Sequence, residues 1–185
     1  MYRYPNFPEH VYVELTNVCN ASCTICATTT MQRKREIMRM PLFQKVVDEC
    51  ARYKAKKILP FLHGESLLVP GISNYFRYVR QASPDTHVNL TTNGSKLSAK
   101  LTETFLGEDL LDSIIISIDG GDKQTYEAIR KGLDYDDARQ ALERQFITSA
   151  LSRSNGSRGR AANLVGMHRN TLSRKISGYN LKRQV

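Results

Sequence analysis

The sequence predicts an α/β fold with parallel strands followed by a small all-α domain, and three observations predict it. Short apolar strands alternate with amphipathic helical stretches from about residue 11 to residue 131, an order that implies right-handed crossovers and a parallel sheet. The residues suited to chemistry each fall just after a strand, where the sites of parallel sheets gather. The charge is also divided: residues 1–136 carry 17 Lys and Arg against 16 Asp and Glu, and residues 137–185 carry 10 against 2, so nearly all of the net +9 sits in a tail whose apolar spacing is purely helical. The chain divides accordingly into residues 1–136 and residues 137–185, one medium domain and one very small one.

Each element has a local reason. Val11, Val13 and Leu15 alternate with Tyr12 and Glu14 and read as a strand running into a polar, cysteine-bearing loop. A helix follows over 41–53, with Pro41 in its first turn and Leu42, Val46, Val47 and Cys50 on one face, which makes Cys50 a core residue. Residues 57–62 form a strand, 72–82 a helix, 87–92 a strand, 98–106 a helix, and 113–118 a nearly continuous apolar strand of the kind buried on both faces. Residues 123–131 are helical. From Ala138 onward, Leu142, Phe146 and Ala150, with Ile147 and Leu151, give one helix an apolar face that Asn155-Gly156 terminates. Ser157 caps a second short helix carrying Ala161, Ala162, Leu164 and Val165, Gly166 supplies a turn with positive φ, and a third helix spans 169–177.

Hydrophobic residues make up 41% of the chain without any long apolar run, so a core is expected and a membrane span is not. With no apolar N-terminal run of the signal-peptide kind, the cytoplasm is the expected compartment. Thiols stay reduced there, and clustered cysteines bind metal or do chemistry rather than pair.

Cys19, Cys23 and Cys26 are spaced C-x-x-x-C-x-x-C and supply three thiolates from one short loop. Three thiolates leave one iron of a 4Fe-4S cubane open for a cofactor or substrate. Zinc is the alternative, with a fourth ligand drawn from Cys50 or a distant histidine. The run Val13-Glu14-Leu15-Thr16-Asn17-Val18-Cys19-Asn20, with the two later cysteines, resembles the first strand and cluster loop of the radical S-adenosylmethionine superfamily; Ile25 stands where that family often has an aromatic. His63-Gly64-Glu65 resembles the family's Gly-Glu motif after the second strand, which implies that Gly64 and Glu65 meet the methionyl amine. Thr92-Asn93-Gly94 and Ser117-Ile118-Asp119-Gly120-Gly121 resemble its loops after strands three and four, which implies cofactor contacts for Asn93, Ser117 and Asp119. Thr125 to Gly132 is similar to the fourth helix of the subgroup that modifies peptides and cofactors. The resemblance covers about residues 9–135 and implies a 4Fe-4S cluster, S-adenosyl-L-methionine cleaved to a 5'-deoxyadenosyl radical, and a reductant protein if the chain is active. Only four of the family's six strand-helix units can be counted, so the expected fold is a truncated partial (β/α) barrel whose fourth strand has an exposed edge.

The tail resembles the helix-turn-helix of the factor-for-inversion-stimulation type through Leu142-Glu143-Arg144, Ala161-Ala162-x-x-x-Gly166 and Arg169-Asn170-Thr171-Leu172-x-Arg174-Lys175. Leu172 and Ile176 face inward on the third helix, which leaves Arg169, Asn170, Thr171, Ser173, Arg174 and Lys175 for DNA. His168 stands at the cap position and Gly159 inside the second helix, both departures from the pattern. The resemblance implies homodimers joined through the first helix of this region. Two functions follow: a radical enzyme with an appended DNA-binding module, its cluster acting as a sensor of iron, oxygen or S-adenosylmethionine, or a DNA-binding regulator carrying an inactive, truncated enzyme remnant.

Overall fold

A computed structural model describes residues 7–181. The strands β1 (His10–Tyr12), β2 (Lys57–Leu59), β3 (His87–Thr92) and β4 (Ser113–Ile116) form one sheet in the order β1-β2-β3-β4, with every neighbouring pair parallel. The helices are α1 (Met40–Arg52), α2 (Ile72–Ala82), α3 (Ala99–Gly107), α4 (Lys123–Ile129), α5 (Tyr135–Arg153), α6 (Arg158–Leu164) and α7 (Arg169–Gly178). Each of the first three crosses from one strand to the next, as parallel pairing requires. The sheet is the parallel one that the strand and helix alternation predicts, and the fold is the truncated partial barrel that the resemblance implies, with four strands among the described residues and β4 at an edge. No helix of the described residues is long and apolar enough to cross a membrane.

Register aligns Ile58 with Val88 and Leu90 with Ile114, and Leu15, Phe43, Val47, Cys50, Phe76 and Phe105 close the same core. Cys50 is fully buried there, in keeping with a core role. On α1 the buried face is Phe43, Val47 and Cys50, while Leu42 is 53% exposed. Val47 and Cys50 lie on the expected face with Val46 at its margin, and Phe43 takes the place of Leu42, because Phe43, Val47 and Cys50 fall at helical four- and three-residue spacing and bury the larger ring. β1 ends at Tyr12, not at residue 15. Val13 still donates to Leu59 O at 2.9 Å, and Leu15 is buried beyond the ladder, so the alternation through residue 15 records burial rather than continued strand pairing.

Helix α5 begins at Tyr135, three residues before the apolar pattern, because Asp134 accepts from the amides of Asp136 and Asp137 and places acidic residues in the first turn. It then serves three cores in succession. Ala138 joins Tyr126 and Leu133, Ala141 joins the main core, and Ile147, Ala150 and Leu151 join the core of the tail. One helix thus runs through residues 136–137 with no linker. This division of labour also corrects the expected apolar face: Phe146 is 58% exposed, because the buried positions near it are Ile147 and Ala150.

In the tail Gly156 N–H donates to Leu151 O at 2.8 Å with φ +73°, the glycine turn that ends α5. Ser157 accepts from Arg160 N to cap α6, and Gly166, at φ +64°, turns the chain into α7. His168, the unusual cap, performs the task by accepting from Asn170 N through Nδ1 at 3.3 Å, so the departure from serine retains the function. Leu172→Ala should cost about 2 to 5 kcal/mol, since Leu172 is fully buried against Ile147, Ala161 and Ala162; chemical denaturation followed by circular dichroism reads the loss. A Cβ at Gly159 meets nothing within 4 Å, so Gly159→Ala should add up to about 1 kcal/mol in the same experiment.

Candidate functional site

A cavity of about 380 Å³ opens where the strands end, and Cys19, Cys23, Cys26, Gly64, Glu65, Asn93 and Ser117 all line it. Residues brought from four loops share one crevice. His63 and Arg130 line it as well.

The cysteine loop is clamped from two sides. Arg35 donates to the carbonyls of Asn17 and Thr28, Asn17 Nδ2 donates to Lys34 O at 2.8 Å, and Thr16 Oγ1 donates to Glu36 O at 2.8 Å. On the other side Ser22 N–H and Thr24 N–H donate to the carbonyls of Lys131 and Ile129 at 2.8 and 2.9 Å, so the loop caps the C-terminal end of α4. Cys23 is buried, and Cys19 and Cys26 are partly exposed; all three are free thiols. Among the described residues no three His, Cys, Asp or Glu side chains converge on a single ion position, so the cysteines share a cavity wall rather than one point. Burial pushes the Cys19 thiol up, against an amide of Ala21 that pulls it down, while Glu65 adds to the rise. A bound cation would reverse that balance.

Glu65 is 2% exposed and accepts from three donors: Thr92 Oγ1 at 2.6 Å, Asn93 N at 2.8 Å and Leu67 N at 3.0 Å. Burial pushes its carboxyl above the ordinary range, and those three donors, with the Arg130 charge, pull it back only in part. A cationic ligand group in the cavity would complete the compensation. Gly64 holds the carboxylate against the cysteine loop: at φ +74° its missing Cβ would lie 2.5 Å from Thr16 O, and Glu65 N–H donates to Val18 O at 2.8 Å. Asn93 Nδ2 donates to Asn20 Oδ1 at 3.0 Å, which ties the third loop to the first. Glu65→Gln should lose about 1 to 3 kcal/mol of stability, because its amide NH2 must face either the Asn93 or the Leu67 N–H; thermal unfolding measures it.

Asp119 does not line the cavity. It is paired with Arg130, which does line it and whose Nη1 stands 3.8 Å from Cys23 Sγ. Asp119 thus stands behind Arg130, whereas the other four residues expected to contact the cofactor line the cavity themselves. Arg130 was missed by motif spacing, because it lies at the end of α4 and reaches the site only once Gly132, at φ +88°, folds that end back against Asn20. His63, whose Nδ1 is 2.9 Å from Glu14 Oε2, was legible only as part of a turn.

On α7, Arg169, Asn170 and Arg174 are exposed, and Thr171 and Ser173 are half-buried, with Leu172 and Ile176 inward. Lys175 is the exception to the expected outward set. Its Nζ lies 2.6 Å from Glu143 Oε2, beside the Tyr179 hydroxyl at 2.5 Å from the same oxygen, so α5 turns it inward. Burial, and then the Glu143 carboxylate, push the Tyr179 hydroxyl up to about 12.

Taken together, the parallel partial barrel and a cavity lined by three cysteines, a glutamate and an arginine define the radical S-adenosylmethionine class. The chain belongs to the radical SAM superfamily, whose family model matches residues 13–147. Residues 138–179 match the model described as bacterial regulatory protein, Fis family, so the two matches overlap on α5. Relatives include the GTP 3',8-cyclase of Chlorobaculum tepidum, 27% identical over 150 residues, covering 81% of this chain and 44% of the relative. The GTP 3',8-cyclase of Clostridium perfringens is 28% identical over 120 residues, 63% of this chain and 36% of the relative. The chain thus spans less than half the length of these curated relatives. Among solved structures, SuiB of Streptococcus suis bound to S-adenosylmethionine aligns over 77% of this chain and 32% of its own with TM-score 0.66 and 13% identity. BtrN in complex with AdoMet and 2-DOIA aligns over 74% and 56% with TM-score 0.58 and 19% identity, and these likenesses establish the fold.

The residues present fit the cofactors that the family implies. The three candidate ligands are all cysteines, the usual ligands of a 4Fe-4S cluster. Gly64 brings the loop after β2 directly against the cysteine loop, and a buried carboxylate held by three donors lines the same cavity as the thiols.

Proposed function

We propose that the chain binds a 4Fe-4S cluster through Cys19, Cys23 and Cys26 and S-adenosyl-L-methionine at the open iron, and that its C-terminal module binds DNA. The observation that carries the reading is the convergence of three cysteines and Glu65, Gly64, Asn93 and Ser117 on one cavity. When bound and reduced, such a cluster supplies an electron to the sulfonium of S-adenosylmethionine. The chain's own share is orientation. Glu65 takes the methionyl ammonium, Asn93, bonded to that carboxylate, and Ser117 present further polar groups to the cavity, and Arg130, anchored by Asp119, offers a cation beside Cys23. Residues 1–136 form the cofactor-binding unit and 137–185 the DNA-binding unit, joined through α5, and a reductant protein and a second copy of the chain are the further partners.

Arg169, Asn170, Thr171, Ser173 and Arg174 present donors at the start and outer face of α7, the end that enters the major groove in this motif. Arg174→Ala should weaken binding to a labelled duplex about 5- to 150-fold, the equivalent of about 1 to 3 kcal/mol, in a fluorescence anisotropy titration.

A second reading, a DNA-binding regulator whose front part no longer catalyses, is favoured by the open β4 edge, where Ile115 is 53% exposed and a fifth strand would pair. Anaerobic reconstitution followed by reductant and S-adenosylmethionine separates the two. Release of 5'-deoxyadenosine supports the enzyme; a cluster without cleavage supports the regulator.

A further inference from the structure

We infer that cluster loading controls DNA binding, with the α4–α5 corner as the transmitting element. The inference rests on the proposed cluster and DNA readings and goes beyond them to the regulation of one by the other.

The physical route is continuous. The cysteine loop caps α4 through Ser22 and Thr24, and Ala21, between two of the cysteines, packs on the small core of Tyr126, Leu133 and Ala138. That core holds the start of α5. Lys123 binds Glu127 on α4 and both Asp134 and Asp136 at the cap of α5, so the end of one helix and the start of the next are sewn into one corner. Helix α5, nineteen residues without interruption, then carries Glu143, which holds Lys175 of α7 and Tyr179 just beyond it, and Ile147 and Leu151 under α7.

A second observation marks the route as able to change. Three buried side-chain polar atoms have no partner among the described residues: Tyr126 hydroxyl, Arg144 Nε and Thr148 Oγ1. All three lie on α4 or α5. Buried groups of this kind are normally satisfied by protein or by ordered water, and their grouping on these two adjoining helices marks the corner and its continuation as the place where a small repacking has most to gain. Three iron–thiolate bonds would restrain the loop that caps α4, and ordering the corner in advance lowers the cost of ordering it on DNA. Loaded protein therefore binds DNA more tightly than protein without iron.

The test uses the full chain, prepared anaerobically with and without cluster, titrated into a fluorescent duplex of random sequence and monitored in parallel by hydrogen exchange. Iron and sulfide content is measured on the same samples. The expected result is an affinity about five-fold or more higher for the loaded form, with greater protection over residues 129–141. A flexible Gly-Ser insertion between Gln145 and Phe146, which parts the two cores that α5 joins, should bring the ratio to one while iron content and duplex binding persist. Equal affinities in both forms overturn the coupling alone, and a ratio unchanged by the insertion overturns the route through α5. No iron uptake overturns the cluster reading and the inference with it, and loading without any duplex binding overturns the DNA reading.

Discussion

Cys23→Ala protein reconstituted anaerobically should hold no 4Fe-4S cluster, with its iron content falling to near zero and its visible charge-transfer bands absent. Cys23 is the buried member of the three and sits in the part of the loop fastened to α4 by Ser22 and Thr24 on either side. No other thiol can replace it. Cys50, the remaining cysteine, lies fully buried in the main core on α1. The fold should survive, because the loop keeps its clamps from Arg35 and Asn17, and circular dichroism checks that. Duplex affinity in the variant should equal that of wild-type protein without iron, so loss beyond that value would indicate a folding defect.

Gly64→Ala should damage both the fold and the site. Its Cβ would stand 2.5 Å from Thr16 O and 2.7 Å from Val18 O, both backbone, in a conformation of φ +74° that alanine disfavours. Relief requires the loop after β2 to part from the cysteine loop. That movement breaks the Glu65 N–H bond to Val18 O and withdraws the carboxylate from the cavity. The expected cost is roughly 2 kcal/mol or more of stability, in line with backbone strain at such positions. Equilibrium binding of S-adenosylmethionine to the reconstituted variant should fall below detection. By contrast, Gly121→Ala, where a Cβ meets nothing within 4 Å, serves as the control and should leave both properties unchanged.

Much of this was legible in the residues, and the boundary of legibility is physical. The strand at β3 and the helix α2 match their expected limits, because period-two burial and a strong apolar stripe leave one solution. The loops that carry Cys19, Gly64, Asn93 and Ser117 were readable for a topological reason: parallel strands deliver their C-terminal ends to one side. Long-range folding-back was not readable. Arg130 reaches Cys23 across 107 residues of sequence, and Asp119 turns to meet it, a pairing that local spacing does not encode. Nor could the pattern show that α5 belongs to both units, because its small residue Ala141 lies against a core built from residues far from it in sequence. Lys175 looked like an outward cation until Glu143 on that shared helix claimed it.

The measurement that tests the central claim most directly is Mössbauer spectroscopy of the chain reconstituted with iron-57, before and after S-adenosylmethionine. Three thiolates from Cys19, Cys23 and Cys26 predict a four-iron cluster in which one iron alone changes its signal when the cofactor is added. A cluster whose irons all remain unchanged, or protein that takes up no cluster, would contradict it.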